Sequence, residues 1–249
     1  MKRTLLFFLI VILAVSCKKE TTKVSETQNP KTEKIFDSES VGEEEGEIFD
    51  DGTLPVFPKT GKKAQDFVLE PYEIQYEEEG LLDDDQLKDI VLVLQNKNDN
   101  TDVRAVLVLI KQKTGDYILK ETSWQALNPE YSYEGNKIYD YESISIDKDR
   151  LLNITLNGIG PVGTLETWYK FVDNQLILAK IHTFNMGAGS QISVDYDLIS
   201  GTADMELINT MVDSMPSAHE TKKFKLDRKQ LFADDSPERV LKKLPATDW

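Results

Sequence analysis

Ile90-Val-Leu-Val-Leu94 and Ala105-Val-Leu-Val-Leu-Ile110 decide how the chain is read. Neither run alternates apolar with polar residues, so both faces of each must be covered. Both are short and rich in β-branched residues, which favours buried central strands over helices. Outward from them the pattern becomes half-buried. Tyr72-Glu-Ile-Gln-Tyr76 alternates with period two. Thr114-Gly115-Asp116 is a turn from which Tyr117-Ile-Leu119 returns. Ile144 and Ile146 alternate with serines, and Leu152, Ile154 and Leu156 repeat that spacing. Thr167-Trp-Tyr-Lys-Phe171 and Leu176-Ile-Leu178 flank Asp173-Asn174, a pair that tolerates hairpin-turn geometry. Ile192, Val194, Tyr196 and Leu198 alternate with polar residues until Gly201.

Helical signals are sparse. Ser236-Pro237-Glu238 suits an N-cap, a first helical position and an acidic first turn, with Val240, Leu241 and Leu244 on one face. Leu207, Ile208, Met211, Val212 and Met215 fit a helix or a strand followed by a loop. The expected fold class is mainly β: antiparallel strands in successive hairpins, meander- or sandwich-like, with a short C-terminal helix. The expected boundaries are a signal peptide over 1–16, a linker over 17–63, a β domain over 64–215 and a C-terminal loop and helix over 216–249.

The N-terminus indicates where the chain resides. Lys2 and Arg3 precede an apolar run from Leu5 to Val15, eleven residues. As a helix that run spans about 16 Å, short of a bilayer core of about 30 Å, so it reads as an export signal. It ends at Ala14-Val15-Ser16-Cys17, and Cys17 is the single cysteine of the chain. A small residue directly before that cysteine resembles a bacterial lipobox, with Ala14 where Leu is usual. The resemblance implies cleavage before Cys17 and its lipidation, and several acyl chains anchor stably where one is marginal. Lys18 rather than Asp follows, which favours the outer membrane, in either leaflet. Residues 18–34 are nearly devoid of apolar side chains, and Asp37 to Asp51 holds eight acidic residues and no basic one. Such a tract remains solvated and extended. Ile48, Phe49, Leu54, Val56 and Phe57 are apolar enough to dock on the domain as a short strand.

Composition narrows the function. The chain has 249 residues and a net charge of −15, with 29 basic against 44 acidic side chains. No basic surplus exists to neutralise phosphates, so nucleic-acid binding is not expected. A single cysteine permits no intrachain disulfide, and with only two histidines it excludes Cys/His zinc sites. No GxSxG, P-loop, GxGxxG or HExxH motif occurs.

Gly80-Leu-Leu-Asp-Asp-Asp-Gln-Leu-Lys-Asp-Ile-Val-Leu-Val-Leu94 resembles the acidic calcium-type loop and following strand of FG-GAP or VCBS-like secreted proteins. The stretches Arg104–Leu119, Ile144–Gly158, Thr167–Ile181 and Ser193–Glu206, in that order, are similar to those of uncharacterised bacterial lipoproteins carrying one such segment. The resemblance implies a cation held by Asp83, Asp85 and Asp89, at loop positions 3, 5 and 9. Calcium needs roughly 6–8 oxygen ligands and a Gly at position 6. Position 1 is Leu81 and position 6 is Gln86, so one ligand and the usual turn residue are replaced, and the loop also reads as a structural turn.

Other polar constellations are compatible with binding or with packing alone. Asp195 and Asp197 share one strand face. His182 follows an apolar run, and Ser217 and His219 lie in a segment expected to be a loop. Trp124, Trp168 and Tyr169 suit a sugar-binding face or a core. Gly158–Gly163 and Asn185–Gly189 are loops suited to blocking an enzyme cleft. The expectation is an outer-membrane-anchored lipoprotein without catalytic activity, a binding or structural module of the envelope. Its partners would be the membrane, through the anchor, and an envelope protein or glycan. The alternatives are a calcium-stabilised surface adhesion-like module, and a carboxylate-dependent envelope hydrolase or enzyme inhibitor.

Overall fold

The computed structural model describes residues 54–158 and 162–246. The expected signal peptide, Cys17 and most of the expected linker lie outside these residues. Within them the chain builds two antiparallel sheets. The first contains β1 (Thr60–Gly61), β2 (Tyr72–Gly80), β3 (Asp89–Asn96), β4 (Ala105–Lys111) and β5 (Tyr117–Ser123), in the order β1-β5-β4-β3-β2. The second contains β6 (Tyr141–Ile146), β7 (Leu152–Asn157), β8 (Thr164–Val172), β9 (Gln175–Gly187), β10 (Ser190–Asp197), β11 (Thr202–Asn209) and β12 (Ser217–Lys223), in the order β12-β11-β10-β9-β8-β7-β6. From β2 to β5 and again from β6 to β12, each strand pairs with its successor, so the fold is two meanders in series.

The two-faced apolar runs explain the layering. Val91, Val93, Val106 and Val108 point one way and pack with Leu152, Ile154, Leu165, Tyr169 and Leu178 of the second sheet. Ile90, Leu92, Leu94, Leu107 and Leu109 point the other way, into a second cluster with Phe57, Ala64, Phe67, Tyr72 and Tyr117. The N-terminal strap and its 3-10 turn Ala64–Phe67 therefore form the outer cover of the first sheet. Each fully buried aliphatic side chain contributes about 1.5–3 kcal/mol.

Two expected boundaries move. The folded body begins before residue 64: Phe57 is 3% exposed, stacks on Trp124 at 5.8 Å and meets Tyr72 edge-on at 5.9 Å, and Thr60 and Gly61 pair with Ile118 and Tyr117. The segment 216–223, expected as loop, contains the edge strand β12. Ser217-Ala-His-Glu-Thr-Lys-Lys223 carries no apolar alternation because it lies on the exposed rim of the sheet, where lysines discourage further pairing. Leu207 and Ile208 belong to β11, and Met211, Val212 and Met215 lie in the turn beyond it. Asp173 and Asn174 make the β8–β9 turn with φ of 52° and 63°, the left-handed geometry that two-residue hairpins use.

The C-terminal segment closes the body. Leu178 N–H donates to Gln230 O at 2.8 Å and Phe232 N–H to Leu176 O at 3.0 Å, so this segment extends the sheet where β10 has ended. Phe232 is fully buried against Tyr169. Helix α1 (Pro237–Leu241) then forms behind Ser236, whose Oγ accepts from Arg239 N–H, and Val240 and Leu244 join the core.

Candidate functional site

The acidic loop between β2 and β3 uses its carboxylates on its own backbone. Asp89 is wholly buried; its Oδ2 accepts from Leu82 N–H at 2.9 Å and its Oδ1 from Lys111 N–H at 3.0 Å. It thus ties the loop to the end of β4. Burial pushes its carboxyl above the ordinary range, partly offset by these amides. Asp83 Oδ1 accepts from Asp85 N–H at 3.0 Å, Asp85 Oδ1 accepts from Leu87 N–H at 2.7 Å, and Asp84 pairs with Arg150. Burial also raises the Asp83 carboxyl. Gln86 adopts φ 54°, so the chain makes the left-handed turn without glycine. Among the described residues no group of three His, Cys, Asp or Glu side chains lies close enough to share a metal ion.

A second polar constellation has no counterpart in the sequence reading. Arg104 and Glu142 are 1% and 7% exposed and form a bidentate pair, Nη1 to Oε2 at 2.6 Å and Nη2 to Oε1 at 2.9 Å. Arg104 Nη1 also donates to Gln75 Oε1 at 2.9 Å and its Nε to Asn128 O at 2.7 Å. Asn128 Nδ2 in turn donates to Glu238 Oε1 at 2.6 Å. One guanidinium thereby connects the bulge in β2, the inter-sheet loop and β6, and through Asn128 it reaches α1. Arg104 directly precedes the apolar run of β4, which is the only local hint of its burial.

The outer face of the second sheet is polar and open. A cross-strand row runs Glu166, His182, Asp195, Asp204 over β8 to β11, with His182 Nδ1 2.8 Å from Asp195 Oδ1. Asp197 Oδ1 accepts from Ile199 and Ser200 N–H and so shapes the β10–β11 turn. His219 Nε2 is 3.4 Å from both Ser217 Oγ and Glu206 Oε1, on exposed strand surface. Of the three aromatic residues considered for sugar binding, Trp168 lies on this face. Tyr169 is in the inter-sheet core, and Trp124 belongs to the cluster under the strap.

Among the described residues three concavities stand out, one of them, of about 410 Å³, between Pro55–Phe57 of the strap and Leu119–Thr122 of β5. A cleft of about 630 Å³ opens between the sheets at one end, over Ile118 and Phe171; Asp83, Asp84, Asp149 and Asp173 and the cations Lys120, Arg150 and Lys170 rim it. The predicted acidic loop therefore contributes to a concave surface, whereas Asp195 and Asp197 line none of the three concavities. Another, of about 370 Å³, lies between β9, the β10–β11 turn and the segment after β12. Ile177, Leu198, Phe224 and Leu226 wall it, and Lys225, Arg228 and Lys229 stand around it. The lower limit for small-molecule sites is about 300 Å³. Gln230 is buried at its base, with Nε2 donating to Arg228 O at 2.6 Å. Compared with protein-family models, with curated proteins and with solved structures, the chain matches none.

Proposed function

We propose that the chain is an outer-membrane-anchored lipoprotein whose β body serves as a non-enzymatic binding or structural module of the cell envelope. The carrying observation is the position of the single cysteine, Cys17, directly after Ala14-Val15-Ser16 at the end of an apolar run too short to span a bilayer. The acidic tract that follows suits a spacer between membrane and body. The chemistry of the buried ionisable groups agrees with a binding role. Asp89 and the Arg104–Glu142 pair are consumed in holding loops and sheets together, where a catalytic group would face a reactant.

The test is metabolic labelling with an alkyne fatty acid in a bacterial host, followed by membrane fractionation. The wild-type chain takes label and sediments with the outer membrane. Cys17→Ser takes none and remains unprocessed or soluble. Equal labelling of the two chains defeats the proposal.

A further inference from the structure

We infer that the 370 Å³ pocket beside β9 binds an amphiphilic monoanion, a carboxylic acid with an aliphatic body. Charge is the first ground. The chain carries 44 acidic side chains, yet none lines this pocket, while Lys225, Arg228 and Lys229 all do. Arg228 is held bidentately by Asp235, at 2.7 and 2.8 Å, and Lys229 by Asp173 at 2.6 Å, both carboxylates standing outside the lining. Lys225 is exposed and has no ion-pair partner among the described residues. One cation is thus uncompensated, which matches a single negative charge better than a phosphate dianion. The larger cleft differs, since four carboxylates line it beside its three cations.

Apolar surface is the second ground. Ile199 at the rim is 60% exposed, and Leu198, Phe224 and Leu226 are half-buried. Covering such surface with an aliphatic chain is favourable roughly in proportion to the area removed from water. The third ground is that the walls are pinned in place. Leu178 N–H donates to Gln230 O at 2.8 Å, Phe224 N–H to Gly201 O at 2.8 Å, and Gln230 Nε2 to Arg228 O at 2.6 Å. A preformed pocket spares the ligand an ordering cost. The chain's net charge of −15 repels anions at long range. Preference for an anion over its neutral analogue must therefore arise locally.

This deepens the binding-module proposal and is independent of lipidation, because no residue that lines the pocket precedes Val172. The experiment is calorimetric titration of the purified full chain in a sugar-headgroup detergent, with detergent-only titrations subtracted, using decanoate, decanol and decyl phosphate. Decanoate is expected to bind saturably at one site, about tenfold more tightly than decanol, the effect of one hydrogen bond to a charged group. Lys225→Glu removes that advantage and leaves decanol binding unchanged. Lys113→Glu, on the exposed β4–β5 turn, changes neither. Ile199→Glu weakens both ligands by placing a charge on the apolar rim. The inference is overturned by the absence of a saturable site, or by equal affinity for decanoate and decanol. Decanoate binding insensitive to Lys225→Glu overturns it too, as does decyl phosphate binding more than about tenfold tighter than decanoate. Failure of fatty-acid labelling at Cys17 would leave these results untouched.

Discussion

Arg104→Met strands the buried Glu142 carboxylate, whose two oxygens both receive their charge-assisted hydrogen bonds from that guanidinium. It also removes the donors to Gln75 Oε1 and Asn128 O. Removing one partner of a buried ion pair costs about 3–5 kcal/mol, because the remaining charge keeps its desolvation penalty and loses its compensation. A domain of 150–250 residues shifts by roughly 2–4 °C per kcal/mol, so the melting temperature falls by roughly 6–20 °C on the same basis. The double variant Arg104→Met/Glu142→Leu removes the stranded charge and is more stable than Arg104→Met alone. It remains below wild type, since Gln75 Oε1 and Asn128 O stay without their donor. Urea unfolding of the four chains gives the coupling free energy, expected at about 3 kcal/mol or more. Additive single costs, or an Arg104→Met cost below about 1 kcal/mol, would refute the claim that this pair joins the two sheets as a buried charge cluster.

Four further outcomes follow from the packing and the loop. Phe57→Ala is expected to cost about 3–5 kcal/mol by emptying the Phe57–Tyr72–Trp124 cluster. Deleting residues 18–52 leaves the melting temperature within a few degrees, and scanning calorimetry separates the two cases. Asp89→Asn costs about 1–3 kcal/mol, because an amide –NH₂ replaces one of two oxygens that accept buried N–H groups. Since burial raises the folded-state Asp89 pKa above its unfolded value, protonation favours the folded wild type. Its advantage over Asp89→Asn therefore widens as pH falls from neutral through the carboxylate range, and urea midpoints of both chains at several pH values check the sign. Millimolar calcium is expected to leave the melting temperature unchanged, since Asp89 accepts backbone amides with both oxygens and Asp83 and Asp85 each accept one. A rise that disappears in Asp85→Ala would restore the cation to the loop.

Where a strand's environment repeats along its length, the fold was legible. Ile90–Leu94 and Ala105–Ile110 are apolar at every position because β3 and β4 are covered on both faces. Asp173-Asn174 announced its hairpin because few residue pairs accept left-handed φ twice in succession. Legibility failed at the edges. Thr60–Gly61 is too short to show a period, and Ser217–Lys223 is polar on both faces because it borders solvent. Phe57 fell within the expected linker because its acidic flank dominates local composition, yet its apolar side chain also suited docking on the domain, and it is buried there against Tyr72 and Trp124.

Polar sites were legible only when their partners were neighbours in sequence. The loop Gly80–Asp89 was visible because its carboxylates crowd ten residues, yet their number misleads about their use. A carboxylate that accepts two backbone amides and one that ligates an ion have the same spacing in sequence, and orientation distinguishes them. Arg104 and Glu142 lie 38 residues apart, and the pocket beside β9 draws its cations from Lys225–Lys229 and much of its apolar wall from β9 and the β10–β11 turn. Acidic side chains so outnumber basic ones that any single acidic cluster is weak evidence of a site. In this chain the same statistics make a concavity walled by three cations and no carboxylate the more informative feature, and it exists only once the C-terminal segment has folded back against β9.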